Sequence, residues 1–217
     1  MAKKVVQMEQ VAPGKVPITI RAPNFQIATF LLIGTSPYVQ HRFSAKAMEQ
    51  MIAKQESGQR AKKGTTREAK DFNQVYKDAM YISTQGWHGV PASSFRNAMI
   101  SACRTVNYKM THAKLAIFVV ADGIDATDAT QLVRIEGKPR KHTGPARNQT
   151  GVIDIRVRPM WEKWSITLRV RFDADMFSLL DVTNLLARAG MQVGIGEGRP
   201  DSRESAGLGW GTFELSK

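Results

Sequence analysis

The chain has 217 residues, 42% of them hydrophobic and 23% charged, ordinary proportions for a globular protein with one sizeable core. Lys and Arg number 31 against 19 Asp and Glu, so the net charge is +12 and the isoelectric point about 10.0, which points to a polyanionic partner. A single cysteine, Cys103, excludes an internal disulfide and a cysteine-rich zinc site, and no apolar run is long enough to span a membrane.

Residues 1–16 read as a flexible polar tail without the apolar core of a signal peptide, so a cytoplasmic protein is expected. Residues 17–217 read as one domain. PITIRA (17–22) and FQIATFLLIGT (25–35) have strand character, and the continuous apolar run of the second implies burial on both faces. From 36 to 84 an insertion is expected, with helical patterns over 45–55 and 67–81. The linker between them, SGQRAKKGTT, sets Arg60, Lys62 and Lys63 between two glycines with no acidic residue, a basic clamp for phosphates.

GVPASSFRNAMISACRTV predicts a helix. Pro91 suits its first turn, Ser93 or Ser94 its cap, and Phe95, Met99, Ile100 and Cys103 form an apolar stripe that makes Cys103 a core residue. Strands follow at 114–122 and 130–137. Asp122, Asp125 and Asp128 in ADGIDATDAT read as a solvated acidic turn, since a calcium loop needs a terminal glutamate. KPRKHTGPARNQTG (138–151) reads as a basic loop broken by Pro and Gly.

VIDIRVRPM and SITLRVRF alternate strictly around WEKW, which predicts a protruding hairpin. Its register would gather Arg156, Arg158, Arg169 and Arg171 on one face, a strip suited to phosphates. Trp161 and Trp164 would either stack bases at its tip or stabilise the turn. The last helix is expected over 175–189, capped by Asp173 or Asp175 and stopped by a left-handed Gly190.

The stretch GIGEGRPDSRESAGLGWG (194–211) comes after a helix and before the final strand at 211–216. A dinucleotide fingerprint needs the opposite order and a P-loop needs Gly-Lys-Ser/Thr, so nucleotide binding is disfavoured. Glycines at turn positions of a long loop are one reading. The other is a strand-holding site, because bare backbone, Arg199, Arg203 and Trp210 supply amides, guanidiniums and an aromatic ring together.

Gly194-Ile195-Gly196 and Gly207-Leu208-Gly209, with a basic interval, resemble the glycine-rich loop of the RAMP superfamily, the ferredoxin-like RNA-binding proteins of CRISPR systems. VPASSFRNAMISACR (90–104) is similar to the Pro-x-Ser-Ser opening of the first helix in many of them. The interval of 197–206 is longer than usual in that family. The resemblance implies an α+β, ferredoxin-like (RRM-like) antiparallel sheet whose first strand is 25–35, with a helical basic insertion ahead of its helix. A phage or mobile-element protein on the same fold would share these features.

The expected function is therefore a non-catalytic single-strand nucleic-acid-binding protein, RNA ahead of DNA, that contacts phosphates and lines up head to tail; the resemblance implies CRISPR-type effector subunits as further partners. Its expected contacts are the clamp, the four strip arginines, Arg199, Arg203, Gly194, Gly196, Gly207, Gly209 and Trp210. No cofactor and no metal are expected, because the four histidines lack the spacing of a metal pair. Two alternatives remain open. One is a metal-independent RNA endonuclease, since RAMP-type nucleases often carry a histidine base where His41 stands. The other is a phage structural or inhibitor protein with a basic interaction surface.

Overall fold

The computed structural model describes residues 20–43, 45–56, 58, 71–147, 153–202 and 208–216. The expected tail at 1–16, the clamp residues Arg60, Lys62 and Lys63, and Arg203 and Gly207 lie outside the described residues.

The chain runs through β1 (Phe25–Gly34), β2 (Tyr38–Val39), α1 (Ala45–Glu56), α2 (Phe72–Asp78), β3 (Tyr81–Ile82) and β4 (His88–Pro91). β4 passes directly into α3 (Ala92–Ala102), followed by a 3-10 turn at Cys103–Val106, α4 (Met110–Ala116), β5 (Ile117–Val120), β6 (Gly123–Ile124) and β7 (Gln131–Arg134). Then come β8 (Arg140–Arg147), β9 (Ile153–Trp161), β10 (Ser165–Asp173), α5 (Leu179–Arg188), a π-helical turn at Ala189–Val193 and β11 (Phe213–Leu215). The architecture is mixed α+β, and the strands among the described residues pair antiparallel in three sheets.

The main sheet has the order β11-β1-β10-β5. Side chains alternate across it, so Leu32, Ile166, Leu168, Val170 and Phe172 are buried while Leu31, Thr167 and Arg171 face outward. Phe95, Ala98 and Met99 of α3 and Val182, Leu185 and Leu186 of α5 join those strand residues in one core. β1 is therefore buried on one face only. Its other face exposes Phe25, Ile27, Leu31 and Ile33, which corrects the expectation of burial on both.

The predicted 153–173 hairpin does not form. β10 pairs with β1 from Phe25↔Asp173 to Ile33↔Ser165, and β9 pairs instead with β2 and β8. The reason lies in WEKW. Trp161 and Trp164 are both core residues packed on the Tyr38 ring, with centroids 5.5 and 5.8 Å away, and the Trp164 indole donates to the Ser36 carbonyl at 2.8 Å. Burying both rings sends the two strands into different sheets. The supposed loop 138–151 supplies the true partner of β9, since 140–147 is a strand. β8 lies at the edge of the order β2-β9-β8, where Pro145 and Gly144 are tolerated.

Local boundaries also move. Residues 20–22 are not strand, and Lys114–Ala116 finish α4 rather than open β5. α5 starts four residues later than expected, because Ser178 and Asp181 form a reciprocal capping box. Gly190 sits in the π-helical turn, where an added Cβ would lie 2.2 Å from the Phe213 carbonyl oxygen. Asp122 and Asp128 are exposed, as a solvated turn requires, but Asp125 between them is buried. Its carboxylate accepts from the amides of Ile82, Thr127 and Asp128 and pairs with Arg42 at 2.9 Å.

The third sheet, β3-β4-β7-β6, is stitched to β2 by Gln40. That buried amide donates to the Gly89 carbonyl at 2.9 Å and to the Tyr38 hydroxyl at 3.0 Å, and accepts from the Tyr81 amide at 2.9 Å. These three bonds place the ends of β2, β3 and β4 around one hollow.

Candidate functional site

That hollow is a cavity of about 390 Å³ walled by His41, Tyr81, Ser94, Arg156, Glu197 and Arg199, with Tyr38 and Gln40 beneath. A second of about 210 Å³, lined by Ser94, Asn97, Ser101, the 194–196 backbone and Asp201, shares Ser94, Gly196 and Arg199 with it. Adjoining at these residues, the two cavities mark a polar groove between the start of α3 and the glycine-rich loop.

Each wall follows from local sequence. β4 runs into α3 through Pro91 with no side-chain cap, so the Ser93 and Ser94 hydroxyls do not fill the role expected of them. The positive end of an eleven-residue helix thus opens beside Ser94 without a carboxylate in its first turn, an arrangement that favours anions. The opposite wall needs its glycines. Gly194, Gly196 and Gly198 all have positive φ, and a Cβ on Gly196 would stand 2.5 Å from the Val39 carbonyl oxygen. That close approach lets the Glu197 amide donate to Val39 at 2.9 Å and fastens the loop to β2.

The electrostatics centre on Glu197, which the sequence reading passed over. It is ion-paired with Arg158 at 2.7 Å and Arg156 at 3.1 Å. Arg158 is 4% exposed, so its charge is committed to the fold, whereas Arg156 lines the cavity. Arg199 also lines it and donates to the Gly196 carbonyl at 3.1 Å, which aims the side chain across the loop mouth. Two guanidiniums thus hold the one carboxylate, and a third, Arg199, lines the same cavity. His41 completes the wall. Desolvation, helped by Arg156 and Arg158 and opposed by Glu197, lowers its pKa below the ordinary histidine range and holds it neutral at pH 7. Burial pushes the Tyr38 phenol far up, so it remains protonated.

The structure brings together His41, Arg156, Arg158, Gly194, Gly196 and Arg199. Trp210 stands behind the loop, packed against Gly198, with Arg158 5.8 Å over its ring and His142 at its edge, so its contacts are within the fold. Gly209 has positive φ and open space around it. Arg169 and Arg171 are elsewhere, on the outer face of the main sheet, which corrects the four-arginine strip. Arg169 pairs with Asp122 at 2.9 Å, and Arg171 lies over the rings of Phe25 and Phe118, 5.0 Å from each. Tyr81 and Gln40 were also missed, since only long-range pairing takes them to the groove. Glu197 did have a signal, as the one carboxylate inside GIGEG.

Among the described residues no group of three or more His, Cys, Asp or Glu is placed to hold a metal ion, and no helix is long and apolar enough to cross a membrane. No protein-family model matches the chain, and no curated protein matches it either.

Proposed function

We propose that this protein is a non-catalytic binder of single-stranded nucleic acid, RNA ahead of DNA, and that the groove between α3 and the glycine-rich loop takes the phosphate backbone. The observation that carries this reading is the groove's composition. An uncapped helix start, loop backbone, Arg156 and Arg199 converge on one polar channel in a chain of net charge +12. Such contacts read backbone rather than sequence.

The order of elements supports a ferredoxin-like core. With β1, β5, β10 and β11 as its four strands and α3 and α5 as its helices, the sheet order β11-β1-β10-β5 is that of a βαββαβ unit. The segment 36–84 and the segment 121–164 are then insertions into it. The RAMP-like glycine pattern falls between the second helix and the fourth strand, where the resemblance requires it. Side-by-side assembly belongs to the same proposal, and exposed Leu179, Leu180 and Met191 on the helical side offer apolar surface for a neighbour.

One observation favours a second reading. His41, neutral and in the same cavity as Arg156 and Tyr81, stands where a general base would serve an RNA endonuclease. Titrating labelled single strands separates the readings: binding that falls steeply with salt and leaves the strand intact supports the first. Cleavage that His41→Ala abolishes supports the second.

A further inference from the structure

The main sheet has a face that the groove does not use. α3 and α5 cover the inner side, and the outer side carries exposed Phe25, Ile27, Leu31 and Ile33 along β1. At one end of this row the chemistry changes. Phe25 of β1 and Phe118 of β5 approach edge to face, 5.7 Å between centroids, across β10. Arg171 of β10 rises between them, 5.0 Å from each ring, and Arg96 reaches the edge of the sheet to lie 4.9 Å over Phe118. Arg96 is held there by its own donations to the Ile117 and Lys114 carbonyls.

We propose that this outer sheet face is a second contact for the strand, where nucleobases stack on the Phe25–Arg171–Phe118 cluster. The inference rests on the reading of the groove as a phosphate site and adds where the bases go. Rings and guanidinium planes both offer flat surfaces on which any base stacks, and their cations favour a polyanion over an apolar protein surface. Arg171 has no ion pair among the described residues, and its guanidinium lies against two ring faces. A row of exposed apolar side chains leads from the cluster toward the strand that follows the groove. Ile33 lies beside β11, the strand that leaves the glycine-rich loop, and the row from Ile33 to Phe25 covers about 27 Å along β1.

The test compares an oligouridylate with a sugar-phosphate strand of the same length that lacks bases, on the full chain, in a low-salt anisotropy titration. Wild type is expected to bind the oligouridylate at least about tenfold tighter. Phe25→Leu and Phe118→Leu keep apolar volume and remove the rings, and each is expected to shrink that ratio several-fold while leaving affinity for the baseless strand unchanged. Circular dichroism verifies that both variants fold. Equal wild-type affinity for the two strands overturns the inference and leaves the groove reading standing. So does a ratio that survives in both variants while their self-association changes, which makes the face a protein contact. Failure to bind either strand overturns the groove reading itself.

Discussion

Glu197 holds two arginines at once, with Arg156 3.1 Å and Arg158 2.7 Å from the same carboxylate oxygen. This contact ties the glycine-rich loop to β9 and sets the charge of the groove. Its two consequences have opposite sign. Glu197→Gln leaves Arg158, 4% exposed, without its counter-charge, and the expected cost is about 3 kcal/mol. For a chain of this size that lowers the melting temperature by roughly 6–12 °C. The same change removes the carboxylate that competes with a phosphate for Arg156. Well below the melting temperature, the variant is expected to bind an oligonucleotide more tightly than wild type. Thermal unfolding and anisotropy on one preparation check both signs.

Two glycines of the loop separate backbone conformation from space. Gly209 and Gly211 have φ of 64° and 70°. A Cβ at Gly209 meets nothing within 4 Å, whereas at Gly211 it would lie 1.8 Å from the Ile195 carbonyl oxygen. Gly209→Ala is expected to cost only the left-handed penalty, about 1–2 kcal/mol. Gly211→Ala also drives the Ile195 backbone away from residue 211 and is expected to cost well beyond that. Urea titrations give the comparison, and equal losses would mean that space around Gly211 does not matter.

What the sequence made legible was local. The stripe Phe95, Met99, Cys103 correctly gave a buried helix face, and alternation in 165–173 correctly gave a half-buried strand. Partnership was not legible. The arginines of β9 and β10 alternate in a way that suits a hairpin, and nothing within 153–173 says that Trp161 and Trp164 both belong to the core around Tyr38. β8 was hidden because Pro145 and Gly144 look like loop residues unless the strand is known to be an edge. In the site, the glycines and Arg199 stood out by composition. Gln40, Tyr81 and Ser94 reach the groove only through contacts between distant segments.

Arg42 and Asp125 form a structural lock distinct from the groove. Their side chains are 10% and 0% exposed and 2.9 Å apart, and Asp125 also accepts from three backbone amides. Asp125→Ala strands those amides and leaves Arg42 paired only with the more exposed Asp128, 2.8 Å away, with an expected loss of about 2 kcal/mol. Nucleic-acid affinity measured at low temperature is expected to be unaffected, because neither residue lines the groove.

The neutral state of His41 predicts a pH dependence. Without ligand its pKa is lowered by desolvation and by Arg156 and Arg158, so the unfolded chain binds the proton more readily. This contribution makes the free protein less stable as pH falls below about 6.5. A phosphate in the groove favours the imidazolium, so the bound state takes up a proton. Affinity is then expected to climb as pH drops from about 7.5 to about 5.5. His41→Gln should flatten that slope, and an unchanged slope would place the titrating group elsewhere.

The most direct measurement is the salt dependence of binding to a labelled single strand, wild type beside Arg199→Ala, with an unlabelled duplex as competitor. The account predicts affinity that falls steeply as salt rises, weak competition by the duplex, and a variant that folds normally yet binds more weakly with a slope lower by about one. A variant with wild-type affinity and slope, or a wild type that binds no single strand at low salt, would contradict it.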